Sequence, residues 1–495
     1  MNYADLFRAT LPETILEVAV LVVLTVDLGF LRKAGIRMRH LAATVIGIAG
    51  CAAALWAVGI APALAAGSQT LPGETLLVAG GSAGVAQCGL LVLTALTLLP
   101  LVGSKFTRNP GEYVSLVLMA AAGGLLISAA QDLLVIFVGL ELLSLSLYVL
   151  TAFAKRSGSS AEAALKYYLF GGMSAAFLLF GFSYLYGITG STNLARIVQS
   201  LQSQSALGST PLVGIALVMV ATGLGFKVAA VPFHFWAPDT YEGAPAPVAA
   251  FIASVSKVAS FALLISIGTA LLPRPGVAGA VLQPSWTLVL AFLAIASMIL
   301  GNLAALAQIS VRRLVAYSAI AHAGYMLLGL AFFSGVRSAQ AVLYYILTYG
   351  LTITGAFVVI GMVEYATGSD NLDAFLGLQK RNPVMAASLL VFFLSLAGIP
   401  PLVGFWAKFN LFAAVLSAGA GVVPFSLVAL AILFSAVSLY YYLQVLKRAW
   451  VMPAVDERPI HINPIMLASI GAIALAVVVL GCFPALLQGW IARFY

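Results

Sequence analysis

Charge is what this 495-residue sequence has least of: Asp, Glu, Lys and Arg together make up 8% of it. Soluble domains carry about 25% charged residues. So few charges exclude a soluble enzyme, and a disordered chain as well, which needs charge and little hydrophobicity. Cysteine is nearly absent. Cys51, Cys88 and Cys482 each sit inside an apolar run, and no two are close. That excludes a secreted disulfide scaffold and leaves no zinc or iron–sulfur spacing. The three thiols read as small buried hydrophobes. A basic leader is missing too: Asp5, Glu13 and Glu17 mark the start, and no small-residue cleavage site follows the first apolar run. The formal net charge of +8 does not point to nucleic acid, because the 24 basic residues are thinly spread rather than clustered.

What the sequence has is hydrophobic length, with 62% of its residues apolar. Runs of bilayer-spanning length fall near 12–31, 41–60, 76–101, 112–130, 132–153, 161–187, 211–236, 246–270, 285–308, 311–333, 339–364, 383–415, 424–448 and 463–490. The expected fold is an all-α polytopic membrane protein of about 14 transmembrane helices. The 383–415 run contains Gly398-Ile399-Pro400-Pro401, and the seventh run meets Pro232 and Pro238. Helices 7 and 12 are therefore expected to be broken. Loops after odd-numbered spans hold 15 Lys/Arg, among them Arg32, Lys33, Arg37, Arg39, Lys155, Arg156, Arg312, Arg313, Lys380 and Arg381. The opposite side holds five: Arg8, Arg196, Arg274, Arg337 and Arg493. This bias makes the first side cytoplasmic and puts both termini on the non-cytoplasmic side. The remaining basic residues, Lys166, Lys227, Lys257 and Lys408, fall inside spans.

A faint internal repeat is also present. Thr189-Gly190-Ser191-Thr192-Asn193-Leu194 precedes span 7, and Thr367-Gly368-Ser369-Asp370-Asn371-Leu372 precedes span 12. Six residues alone are within reach of chance. Each copy, however, is followed by a broken helix and then Phe-Trp-Ala, at 235–237 and 405–407. Five spans separate the copies, so they face opposite ways. Inverted repeats with paired broken helices point to a transport pathway near mid-membrane.

A charge at a helix centre costs about 2.5–3.5 kcal/mol on the insertion scale, so each one needs a reason. Glu141 lies mid-span 5, Lys227 just before the Pro232 break, Lys257 at the centre of span 8 and Lys408 after the Pro400-Pro401 break. Span 10 has a central His322, and span 7 continues to His234. Glu162 and Lys166 share one face at the start of span 6. Desolvated lysines release protons more readily, and a nearby carboxylate opposes the release. Glu, Lys and His across a bilayer centre can thus pass protons between them. Plainer readings stand beside each. Glu141–Lys227 reads also as a static pair, Lys257 as an interhelical donor, Lys408 as a snorkelling side chain and His322 as an ordinary interior histidine. His234 reads also as a loop or cap residue, and Glu162–Lys166 as the mark of a helix start. Glu364 is expected to be solvated and Asp27 to snorkel. Glu13 and Glu17 are expected near the outer surface, facing water or a neighbouring subunit.

The stretch Gly225-Phe226-Lys227, Val231-Pro232-Phe233-His234-Phe235-Trp236-Ala237-Pro238-Asp239, Tyr241-Glu242-Gly243-Ala244-Pro245-Ala246-Pro247-Val248 and Ser256-Lys257 resembles the antiporter-like N subunits of proton-pumping NADH:quinone oxidoreductase, respiratory complex I. The likeness extends over all the spans, Glu141 and the Gly-Ile-Pro-Pro break leading to Lys408. It implies two inverted five-helix repeats forming two proton half-channels. The organisation expected is a three-helix segment over 1–110, repeats over 111–272 and 283–450, and a C-terminal helix over 460–495. By resemblance Glu141 and Lys227 form the pair of the first repeat, Lys257 is the central link and Lys408 belongs to the second half-channel. His322, His234, Glu162 and Lys166 are further relay candidates. The L-type sister subunits carry a long lateral helix that this chain lacks after Trp490, and the M type tends to end its charge line in Glu. Both points favour the N type. No nucleotide, flavin or cluster motif is evident, so no cofactor is expected on this chain, with NADH, flavin, iron–sulfur clusters and quinone on other subunits. The expected partners are other complex I membrane subunits, including M-type and K-type neighbours, and lipid in a bacterial plasma membrane. The alternatives are a subunit of a multi-subunit cation/proton antiporter and a ferredoxin-linked relative of complex I.

Overall fold

The computed structural model describes residues 7–65, 75–103, 106–203, 211–271, 283–419, 421–454 and 458–495. Among these every regular element is helical. Arg274 and the repeat boundary at 272 lie outside the described residues. Twelve of the described helices are long and apolar enough to cross a membrane. They occupy the positions expected for spans 2 to 11, 13 and 14. Those the site depends on are span 5 (Leu133–Thr151), span 6 (Gly158–Thr189), the first half of span 7 (Pro211–Val228), span 8 (Ala246–Ala270), span 10 (Val311–Ala331), span 11 (Val336–Thr367) and span 13 (Val422–Trp450). The other two are present in interrupted form. Span 1 runs through Leu11–Leu24 and widens into a π turn at Thr25–Phe30. Span 12 is two short helices, Pro383–Ala397 and Val403–Ala418.

Burial orders the spans. The apolar window of span 8 is 100% buried, while those of spans 13 and 14 are 22% buried, so span 8 runs through the middle and the last two line the outside. Close backbone approach builds part of this core. A Cβ on Gly123 would lie 2.6 Å from the Leu143 nitrogen and 2.8 Å from the Gly139 oxygen, so spans 4 and 5 meet backbone to backbone beside Glu141.

The two broken helices end alike. Span 7 closes with Ala229 in the left-handed region (φ 58) and a bond from Ala230 N to Gly225 O of 2.8 Å. The first half of span 12 closes with Gly398 (φ 89) and a bond from Ile399 N to Leu394 O of 3.0 Å. This is the six-to-one closure by which helices commonly stop, and it settles carbonyls that would be orphaned inside the membrane. Cis peptide bonds follow at Val231-Pro232 and Pro400-Pro401. The preceding loops match as well. Leu133 N donates to Thr192 O and Leu194 N to Gln131 O, both at 2.9 Å; Val311 N donates to Asp370 O at 2.9 Å and Leu372 N to Ile309 O at 3.0 Å.

Several local expectations differ from the structure. Span 3 starts at Gly81, not 76, because the preceding residues pair with the end of span 4, Val78 N to Ala129 O at 2.8 Å. The last run breaks into Pro464–Cys482 and Pro484–Ala492, since Pro484 starts a new helix better than it continues one. Asp27 does not snorkel. The π turn buries it, and it receives both Nε (2.7 Å) and Nη2 (2.8 Å) of Arg39 and the Gly111 amide at the start of span 4. One carboxylate thereby ties three spans together. Glu13 is buried as well, with neither carboxyl oxygen hydrogen-bonded.

Candidate functional site

Three lysines lie in the protein core: Lys227, Lys257 and Lys408 are all buried. None of them forms an ion pair with a carboxylate among the described residues. Their acceptors are carbonyl and hydroxyl oxygens, so each ammonium is solvated by dipoles rather than neutralised by an opposite charge.

Lys227 ends the first half of span 7. Its ammonium donates to the Ser144 hydroxyl, which in turn donates to Leu140 O within span 5. Glu141 is half-buried, one turn before Ser144 on the same helix. The expected Glu141–Lys227 pair is therefore not a direct contact. Ser144, one turn on from Glu141, makes the bond. Trp236 closes this region: its indole donates to Phe226 O at 3.0 Å and stacks on Tyr167 at 4.4 Å.

Lys257 follows directly on a π turn at Ile252–Ser256 inside span 8. Such turns shift the register of the side chains that follow and are frequent at functional sites. Its ammonium donates to Ala319 O on span 10 and lies 5.5 Å from the centre of the Tyr349 ring. One turn on from Ala319 is His322. Its Nδ1 is 2.8 Å from the Tyr345 hydroxyl and its Nε2 3.5 Å from that of Tyr442. The Tyr349 ring that faces Lys257 lies 5.0 Å from this imidazole.

Lys408 lies in the second half of span 12 but reaches back to the first. It donates to Leu396 O (3.0 Å), Ala397 O (2.8 Å) and the Ser435 hydroxyl (2.7 Å). The carbonyl end of a helix favours a cation, so the break itself binds the lysine. The Tyr325 ring centre is 5.4 Å from the ammonium and 5.8 Å from His322. Snorkelling does not describe this side chain. The order through the core is thus Lys257, Tyr349, His322, Tyr325, Lys408.

The remaining candidates lie elsewhere. His234 is buried in the break of span 7 with Nδ1 unbonded, and it contacts Phe235 rather than a lysine. Glu162 and Lys166 do pair, at 2.8 Å, but are largely exposed. They belong to a chain of charges that the sequence did not assemble. Lys166 also meets Asp239 (2.7 Å), and Asp239 and Glu242 both bind Arg313, at 2.6 and 2.9 Å. Burial alone would raise the Asp239 carboxyl, but hydrogen bonds from Lys166 and Arg313 outweigh it and hold it below the usual carboxylate range. Next to them Arg312 is buried, bonded to Glu242 O, Ala244 O and the Glu364 carboxylate (2.7 Å), so Glu364 is a partner and not merely solvated. The advance signals were separate ones: Asp239 and Glu242 stand within the Pro-rich motif, Glu162 and Lys166 share a helix face, and Arg312 and Arg313 mark a basic loop.

Known proteins resemble this chain in sequence and fold. A family profile described as "NADH:quinone oxidoreductase/Mrp antiporter, TM" matches residues 130–438. The chain is 47% identical over 504 residues to NADH-quinone oxidoreductase subunit N 2 of Acidobacterium capsulatum, covering 99% of each. It is 41% identical to NAD(P)H-quinone oxidoreductase subunit 2 of Thermosynechococcus vestitus, over 88% of this chain and 81% of that one. A chain of respiratory complex I from Thermus thermophilus superposes with a TM-score of 0.77 at 34% identity, covering 97% of this chain and 98% of that chain. A chain of the Mrp complex from Dietzia shares the fold, with a TM-score of 0.79 at 22% identity over 98% and 96%.

Proposed function

The chain belongs to the family of NADH:quinone oxidoreductase and Mrp antiporter membrane subunits, and from that premise we propose the path of the proton it carries. It is a proton-translocating membrane subunit of an NADH:quinone oxidoreductase. The relay runs from Lys227 through Lys257 and His322 to Lys408. The observation that carries this reading is the succession of buried titratable groups with dipolar partners only, those from Lys257 to Lys408 being joined by tyrosine rings and hydroxyls. An ammonium held by carbonyls and hydroxyls can be deprotonated without leaving a carboxylate stranded in the core, which suits transfer better than storage. Glu141 biases Lys227 from beside Ser144, and a shift of that carboxylate changes how firmly Lys227 holds its proton.

The matched loops and the matched helix closures support reading 111–272 and 283–450 as two inverted repeats, each with one buried lysine at its break. The redox chemistry, with NADH, flavin, iron–sulfur clusters and quinone, belongs to other subunits and drives this one. M-type and K-type subunits are its neighbours in a bacterial plasma membrane, and both termini lie on the non-cytoplasmic side. His234, Glu162 and Lys166 stand apart from the relay; the last two belong to the charge cluster at the cytoplasmic edge. The test replaces Lys227 by Ala in the complex and follows NADH oxidation and proton uptake together. The expected result is lost uptake. Unchanged pumping per NADH sinks the path.

A further inference from the structure

Among the groups between Lys257 and Lys408, one has no bond to account for it. Tyr349 is 3% exposed, and its hydroxyl has no hydrogen-bond partner. Buried phenols normally find one, because an unbonded hydroxyl costs its full desolvation. The side chain lines a cavity of about 10 Å³ together with His322, Tyr345, Thr348 and Thr352. That is room for about one water. The polar partners a water needs are at hand. Thr348 and Thr352 donate to carbonyls of their own helix, at 2.8 Å each, and so keep lone pairs free to accept. The Tyr349 ring has the Lys257 ammonium 5.5 Å from its centre and the His322 ring at 5.0 Å. Another lining residue, Leu396, supplies the carbonyl that binds Lys408.

We propose that this cavity holds one ordered water, and that the Tyr349 hydroxyl and this water form the link through which a proton passes from the Lys257 side to His322. The inference rests on the Lys257–His322–Lys408 path above. Tyr349 is on this view a relay residue. In the transfer the phenol oxygen takes up a proton supplied from Lys257 as its own hydroxyl proton passes to the water. The water gives one of its protons to the imidazole. One bond to hydrogen forms and one breaks at each oxygen, so neither phenolate nor hydronium remains, and only the lysine and the histidine change charge.

The test is Tyr349→Phe in the intact complex in membrane vesicles, with Tyr344→Phe as its control. The Tyr344 hydroxyl is likewise unbonded, but its side chain does not line the cavity. Three quantities are read: the amount of assembled complex, NADH-driven proton uptake, and the ratio of uptake in H2O to that in D2O. Tyr349→Phe is expected to assemble normally, with uptake reduced about tenfold, since a positioned proton-transfer group contributes that much or more, and with an altered isotope ratio. Tyr344→Phe is expected to match wild type in all three. Uptake and isotope ratio unchanged in Tyr349→Phe overturn the proposal. So does failure of that variant to assemble, which would mean the hydroxyl has a structural partner. Lys257→Met is measured in parallel. If it too pumps normally, the path itself fails; if it alone is inactive, only the tyrosine link does.

Discussion

Replacing Lys257 by Met separates a transported charge from a structural one. The substitution removes a charged hydrogen bond to Ala319 O, worth about 1.5–3 kcal/mol, and the Tyr349 ring contact, worth about 2 kcal/mol when desolvated. It also removes the cost of holding an ammonium out of water, several kcal/mol for a buried ion. These terms nearly cancel, so the net change is expected within about 2 kcal/mol. No partner is stranded either: Ala319 O lies mid-helix, and Lys257 has no ion-pair carboxylate among the described residues. The flexible methionine fills much the same volume. The variant complex should assemble to near wild-type amount and show the same thermal midpoint in detergent, while NADH-driven acidification of inverted vesicles is lost. If the chain drops out of the complex, the charge is a fixed structural element. If the assembled variant pumps fully, Lys257 is not on the path. Either result refutes the reasoning.

Other outcomes follow from the same geometry. Ser144→Ala should leave assembly intact but lower proton uptake, because it removes the one hydrogen-bonded contact between span 5 and Lys227; vesicle assays check it. Gly111→Ala should destabilise the chain by about 1–3 kcal/mol, the usual range for overpacking, since its Cβ would lie 2.5 Å from the Asp27 carboxylate; a thermal shift in detergent reads it. Asp239→Asn should cost about 1 kcal/mol, the scale of partly exposed ion pairs, without abolishing pumping. The Asp239 carboxyl is held low in the fold, so its contribution is present above the unfolded pKa, near 4, and disappears only as pH falls through the folded value. Stability measured from pH 8 to 5 should therefore show no loss traceable to Asp239, and the variant should track wild type at a constant offset over that range.

The spans were legible because the bilayer sets a length that apolar runs either reach or miss. The breaks were legible because proline in a helix must be accommodated somewhere, and both lie where Pro232 and Pro400-Pro401 stand. The buried lysines stood out because so few charges competed for attention. What stayed hidden was pairing across the fold. Asp27 reads as a snorkelling end residue until span 2 brings Arg39 to it, and Glu364 reads as solvated until Arg312 arrives from span 10. Hydroxyls gave still less warning. Ser144, Ser435, Tyr345 and Tyr349 are ordinary in a membrane sequence, and their contacts come from which helix faces which, information that hydropathy does not carry.

Lys408 spans its own break, and this joins chemistry to mechanics. A charged ammonium has three hydrogens, and here it has three acceptors: two carbonyls ending one half of span 12, and Ser435 on span 13. A neutral amine has only two hydrogens and no charge for the helix end to attract. When the proton departs, the two hydrogens still serve the two carbonyls and the nitrogen lone pair accepts from the Ser435 hydroxyl, but the pull of the charge on the helix end is gone. Loss of the charge should therefore loosen the joint between the two halves of span 12. On the proposed path, that joint would be firmer with a proton on Lys408 than without one.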